Sequence, residues 1–515
     1  MRIIPWAFLC AVLSGILFIS CKHGQTGADA DPFAEAGFKA YENGFEQHLE
    51  DYHLARSAEN AHMPEGKASL YIDFSSGIYQ ALTAKDNLSL LTNVYNSLPT
   101  NALDIFKLSS DTIISMERAD IDAEVTDPKK YNEIYAPITR AVAEIVSKKN
   151  DAILVTDFEE YKNKAEITNI AYLKDLFEDW LLKGNSIQFF ISEYKENTTA
   201  KRLFFTVFSY GRISDESLLK RVENSPLISG LTRYDLSSRA FSFSQQYDTE
   251  KSGGIFYDPS GKSENEKNVL GFEKDTYLNG LKKSNAGFEF YSFGLDWKTI
   301  SEQREAYKGQ FDYFFRKLFI DISNEDSYRI DALSVKVTDV TGDFEYFAKC
   351  QEATKHKPHT DKGSNGEDKF KEDEKDLIAL NCYEPNGKIK DKWVYSPQPV
   401  TELPEIFAFN NTLFNNTTAS SGRKKAELSV VFDPKFDLKN IPSTARLLRV
   451  DILVNKATAS TANVKLKKFS WQSTSQKGAQ NTALLASVTN TLVDPRIKPD
   501  QHVIYSYYIK TATDN

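Results

Sequence analysis

Two short runs constrain this chain most. Ala68-Ser69-Leu70-Tyr71-Ile72-Asp73 and Asp151-Ala152-Ile153-Leu154-Val155-Thr156-Asp157 are apolar on consecutive positions and close on an aspartate. A half-exposed strand alternates polar and apolar residues. A run apolar throughout must be covered on both faces, which in an α/β protein means helices above and below. Helical spacing surrounds these runs. It appears over residues 78–97, over 130–148 with Ile134, Ile138, Val142 and Ile145 on one face, and over 172–183, where Gly184-Asn185 stops it. Further strands are expected at 102–108, 112–116, 186–192 and 201–209. Residues 65–225 therefore read as an open α/β domain on a mostly parallel sheet. In such sheets ligands bind beyond the carboxyl ends of the strands, where Asp73 and Asp157 fall.

The flanking regions differ. Residues 34–64 read as an amphipathic N-terminal helix, with Phe38, Tyr41, Phe45, Leu49 and Tyr52 on one stripe. Residues 226–325 are a mixed connecting region with Gly, Ser and Lys-rich loops. Over 326–515 strand-like alternation dominates, at 329–340, 426–432, 445–454, 462–471 and 502–510, as expected of a β-sandwich-like region. Lys and Arg number 63 against 72 Asp and Glu, a net charge of −9, which argues against nucleic acid as a partner.

The first twenty residues carry one positive charge and an apolar stretch from Ile3 to Ser20, the layout of a secretory signal. Its end, Leu17-Phe18-Ile19-Ser20-Cys21, resembles the bacterial lipobox, with Ser20 in the small position and Phe18 in place of the usual Leu. That resemblance implies cleavage before Cys21 and an N-terminal lipid on it, a membrane anchor; the competing reading is an uncleaved anchor helix. Lys22 follows instead of the Asp that retains such proteins in the inner membrane, so the outer membrane of a bacterial envelope is expected. Residues 21–33 then serve as a polar tether. Of the four cysteines, Cys10 leaves with the signal and Cys21 takes lipid. Cys350 and Cys382 are left, either paired as a disulfide in this compartment or as two separate thiols. The charged loop between them holds His356 and His359 among lysines, without metal-ligand spacing.

The segment Asp73-Phe74-Ser75-Ser76-Gly77, with Thr139 and Asp157 later, gathers carboxylate and hydroxyl oxygens at one sheet edge, a donor set for a hard divalent cation. This order resembles the von Willebrand factor A domain and its metal-ion-dependent adhesion site: Asp-x-Ser-x-Ser after a strand, a loop Thr, and a second Asp after another strand. Asp73, Ser75, Thr139 and Asp157 match; Gly77 stands where the second Ser belongs, and the interval from Thr139 to Asp157 is short. The resemblance implies Mg²⁺ or Ca²⁺ as cofactor and an envelope or surface protein as partner, bound through adhesion-type contacts without catalysis. The plainer reading of the same residues is that Asp73 and Asp157 cap helices and Ser75 satisfies turn amides.

An enzyme is the less favoured class. The alternative is a metal-dependent hydrolase using Asp73 and Asp157 as paired carboxylates. A haloacid-dehalogenase-type phosphohydrolase would need a carboxylate at Ser75, and an actin-like ATPase a Gly at Phe74. No phosphate loop, nucleophile elbow or zinc helix is present in the sequence. A third class is a binding module in the C-terminal region, with Trp393, Tyr395, Trp471, Tyr505, Tyr507 and Tyr508 stacking on sugars or filling a core.

Overall fold

The computed structural model describes residues 31–33, 45, 68–84, 86–96, 103–148, 150–196, 199–211, 217–238, 247–248, 282–283, 289–290, 292–295, 313–322, 325–355, 360–362, 368–370, 400–415, 418–420, 423–473, 478–497, 499 and 501–511. The signal, Cys21, the tether up to residue 30, the expected N-terminal helix apart from Phe45, and Cys382 lie outside them. Contacts divide the chain into two units, residues 44–344 with 394–515, and residues 1–43 with 345–393. In the smaller unit the described residues include the end of a helix, Thr341–Lys355, and an antiparallel pair, Thr360–Lys362 with Asp368–Phe370. Cys350 falls in that helix.

The α/β layer of the larger unit begins with β1 (Ala68–Asp73), α1 (Ile78–Thr83) and α2 (Asn87–Asn96). The hairpin β2 (Leu103–Ser109) and β3 (Thr112–Met116) follows, then α3 (Ile121–Thr126), α4 (Ile138–Ser147) and β4 (Asp151–Thr156). A two-residue hairpin, β5 (Tyr161–Lys162) and β6 (Ala165–Glu166), leads to α5 (Lys174–Leu182). The long hairpin β7 (Ser186–Glu196) and β8 (Thr199–Ser209), α6 (Leu218–Glu223) and β9 (Thr232–Ser237) complete it.

The seven strands stand in the order β3-β2-β1-β4-β8-β7-β9. The α/β class holds, and the sheet is mixed. β2, β1 and β4 form a parallel core, while β3, β8, β7 and β9 each pair antiparallel with their neighbours. Strands apolar on both faces look alike in sequence whichever way they run, so the period could not reveal the direction of β8.

Alternation across the pleat splits β1 and β4 between two cores. Leu70, Ile72, Ile153 and Val155 point to the face covered by α1, α2 and α6, where Ile78, Leu82, Leu90, Leu91, Leu219 and Val222 are buried. Tyr71 and Leu154 point to the opposite face, against Val142 and Ile145 of α4 and Phe177 and Trp180 of α5. That second core takes in residues far along the chain: Phe469, Trp471, and Leu484, Val488 and Leu492 of helix α7 (Ala483–Leu492). The layer seen in the sequence over 65–225 is thus roofed in part by the C-terminal region.

Local departures have local causes. The helical run over 78–97 is two helices, because Asp86 between them adopts φ +61°. The helix expected from 130 begins only at Ile138, following Pro137, because a proline disfavours helical backbone in the residue before it. Ile134 therefore sits in a loop, 68% exposed. The expected strand over 462–471 is instead a 3₁₀ helix, Val464–Phe469. The Asn463 side chain accepts from the Lys465 amide at its start, and Leu466 and Phe469, three apart, turn inward.

The C-terminal region forms two further sheets. One has the order Ser292–Leu295, Val503–Thr511, Leu447–Ala459, Tyr328–Asp339 and Thr401–Glu402, antiparallel except for its first pair. The other joins Tyr247–Asp248, Tyr313–Asp321, Arg423–Phe432 and Phe407–Phe409 in antiparallel pairs. Leu333, Val337, Val450 and Ile452 of the first sheet share one apolar core with Leu428 and Val430 of the second.

Candidate functional site

The parallel pairing of β1 and β4, with Ile72 opposite Val155, brings their carboxyl ends side by side. Asp73 closes β1 with 1% of its surface exposed, and Asp157 follows β4 with 7% exposed. One Asp73 oxygen accepts the Ser75 amide at 2.7 Å, the other the Thr156 hydroxyl at 2.7 Å. Asp157 Oδ1 accepts the Glu159 amide at 2.9 Å. Ser75 is held by a parallel bridge to Glu133, and the Ser76 amide donates to the Glu133 carbonyl at 2.8 Å. A Cβ on Gly77 would lie 3.8 Å from Asp157 Oδ2, so the position lacking the second serine faces the second aspartate.

Three of the four expected residues thus converge: Asp73, Ser75 and Asp157. Thr139 lies in the first turn of α4 and is engaged elsewhere. Its amide and hydroxyl both donate to Glu160 Oε2, at 2.6 and 2.9 Å. Glu160 is buried, and its charge at the start of α4 suits the positive end of the helix.

Sequence reasoning passed over three participants. Glu159 and Glu160 follow Asp157 after the intervening Phe158 and are both buried, so with Asp73 and Asp157 four carboxylates gather at the carboxyl ends of β1 and β4. The third is Lys201, 4% exposed, whose ammonium pairs with Glu159. Lys201, followed by Arg202 and then the run Leu203-Phe204-Phe205-Thr206-Val207-Phe208, was the available signal. Phe158, in the middle of the group, is fully buried with φ +59°, a conformation that costs a bulky side chain roughly 1–2 kcal/mol. The reversal turns Asp157 and Glu159 toward the edge while the Phe158 ring packs edge-on against Phe204 at 5.2 Å.

The electrostatics follow from burial. Desolvation pushes the Asp73 carboxyl up to about 6, against the pull of its Ser75 and Thr156 hydrogen bonds. Asp157 is raised well above the usual carboxylate range by desolvation first, then by the charges of Glu159 and Asp73, with Lys201 acting in the opposite direction. Glu160 is raised by desolvation.

The donors are oxygens, as a hard cation requires, but the arrangement fits such a cation poorly. Thr139 spends its hydroxyl on Glu160, Gly77 offers none, and a buried ammonium already stands in the cluster. Among the described residues no group of three or more His, Cys, Asp or Glu side chains is disposed to hold a metal ion. His356, His359 and Cys382 lie outside the described residues. Of the aromatics weighed as a sugar platform, Trp471, Tyr505 and Tyr508 are buried in the core. Trp393 and Tyr395 are outside the described residues.

Among the described residues no helix is long and apolar enough to cross a membrane. No protein-family model, curated protein or solved structure matches the chain.

Proposed function

We propose that this chain is a lipid-anchored envelope protein whose α/β layer is a von Willebrand A-like protein-binding module, presenting the carboxyl edge of β1 and β4 to its partner. The C-terminal sheets act as a sandwich-like support. The observation that carries the reading is the surroundings of Asp73 and Asp157. Ile134, 68% exposed, projects from the loop that bridges to Ser75. Ile170, 61% exposed, lies two residues before Tyr172, whose hydroxyl donates to the Phe158 carbonyl at 3.0 Å. Exposed aliphatic side chains around a polar centre suit a protein surface better than a small polar substrate. A lipid on Cys21 would hold this edge near other envelope proteins, and binding of Mg²⁺ or Ca²⁺ through Asp73, Ser75, Thr139 and Asp157 is the competing expectation for how it works.

The test is site-specific photocrosslinking in the full-length, membrane-anchored chain. A photoreactive residue at position 134 should give one discrete protein adduct, and the same residue at Val464 on the C-terminal 3₁₀ helix should give none. An adduct pattern equal at both positions refutes the assignment of the edge. Turnover of phosphate or glycoside substrates that is lost in Asp73→Asn would favour the hydrolase reading instead.

A further inference from the structure

We infer that Lys201 is the resident cation of the carboxylate cluster, supplying from within the chain the positive charge that a divalent metal would otherwise bring. The inference deepens the reading of this edge as an A-like site, and it makes the module's integrity independent of metal.

The direction of β8 is the root of the argument. β8 runs antiparallel to β4, with Phe204 opposite Thr156. Three residues earlier on β8, Lys201 therefore extends past the carboxyl end of β4, level with the turn that holds Asp157 to Glu160. A parallel neighbour would have begun at the far edge and brought no residue from its amino end here. The long hairpin with β7 fixes the placement, pairing Lys201 with Tyr194. The lysine is then buried beside carboxylates and bonded to Glu159, where its charge also favours ionised Asp157. Taking an ammonium this far out of water is strongly unfavourable unless it is paired, and so is burying carboxylates without a counter-charge. Lys201 and the cluster each offset the other's desolvation.

The departures from the metal-site pattern agree with this. Gly77 removes a hydroxyl that would have faced Asp157, and Thr139 is tied to Glu160. Both changes take away neutral oxygen donors that matter to a metal and are dispensable to an ammonium held by a carboxylate.

The experiment measures thermal unfolding and calorimetric titration of the full chain with MgCl₂ or CaCl₂, against NaCl of equal ionic strength and against EDTA. Wild type should give the same midpoint in all four and no saturable heat. Lys201→Met should unfold at lower temperature and recover by several degrees in millimolar Mg²⁺ or Ca²⁺, because ligand binding to the folded state alone stabilises it. Adding Asp157→Asn to that variant should abolish the recovery. Lys201→Arg, which keeps the charge, should stay insensitive to the cations. Saturable binding by wild type overturns the inference and favours the metal site, leaving the crosslinking test of the edge intact. A folded Lys201→Met without a cation response also overturns it. Should that variant not fold, the wild-type titration and Lys201→Arg still decide.

Discussion

Phe469 is the clearest handle on how the α/β layer is closed. It sits on a 3₁₀ helix more than 250 residues beyond β8, yet its ring is fully buried among Phe189 at 5.0 Å, Tyr234 at 5.1 Å and Phe204 at 5.7 Å. Replacing a buried Phe by Ala costs about 3–5 kcal/mol in transfer and cavity energy. Three ring pairs, each worth about 0.5–1.5 kcal/mol beyond buried area, place Phe469→Ala near the upper end. Against a total stability of roughly 5–15 kcal/mol, that is a third or more. Urea unfolding followed by tryptophan fluorescence reports on it directly, because Trp180 and Trp471 lie in the same core. The midpoint should fall with the denaturant slope unchanged. Val464→Ala, on the same helix but at a side chain 70% exposed, should stay within about 0.5 kcal/mol. A loss below about 1 kcal/mol for Phe469→Ala would refute the claim that the C-terminal region completes this core.

Asp151 is buried at the start of β4, accepting the Tyr210 amide at 2.8 Å and the Leu218 amide at 3.1 Å, and burial pushes its carboxyl up to about 6. Its folded value lies above the unfolded one, so its contribution to stability is complete below about pH 4 and is lost as pH rises through about 6. Asp151→Asn should therefore remove up to about 3 kcal/mol of that pH dependence, measured by denaturant unfolding between about pH 4 and 7. Glu166 accepts the Ser473 hydroxyl at 2.6 Å and the Asn481 amide at 2.8 Å, so Glu166→Ala leaves buried donors unmet. It should cost about 1–3 kcal/mol in the same assay. Cys21→Ser should abolish incorporation of labelled palmitate and move the chain from the membrane to the soluble fraction; unchanged incorporation would exclude the anchor.

Much of the site was legible because short-range chemistry determines it. Aspartates at the ends of all-apolar strands identify the carboxyl edge of a sheet, and Asp73 and Asp157 do meet there. Thr139 shows the limit. Its place at the start of a helix could be read from Pro137, but its hydrogen bonds depend on a glutamate 21 residues away. Lys201 and Glu159 were missed for the same reason: a charged residue beside an apolar run reads as solvated until the neighbouring strand is known.

By itself the sequence determined that β1 and β4 are strands buried on both faces, that helices flank them, and that Asp73 and Asp157 fall at one edge. Those features follow from periodicity, proline and the cost of exposing apolar surface, which act over a few residues. Tertiary structure decided that β8 enters antiparallel beside β4, that a lysine thereby joins the carboxylates, and that Phe469 and α7 roof the second face. Strand direction and long-range closure are chosen by the packing of whole layers, and apolar residues suited to either arrangement leave no local mark of the choice.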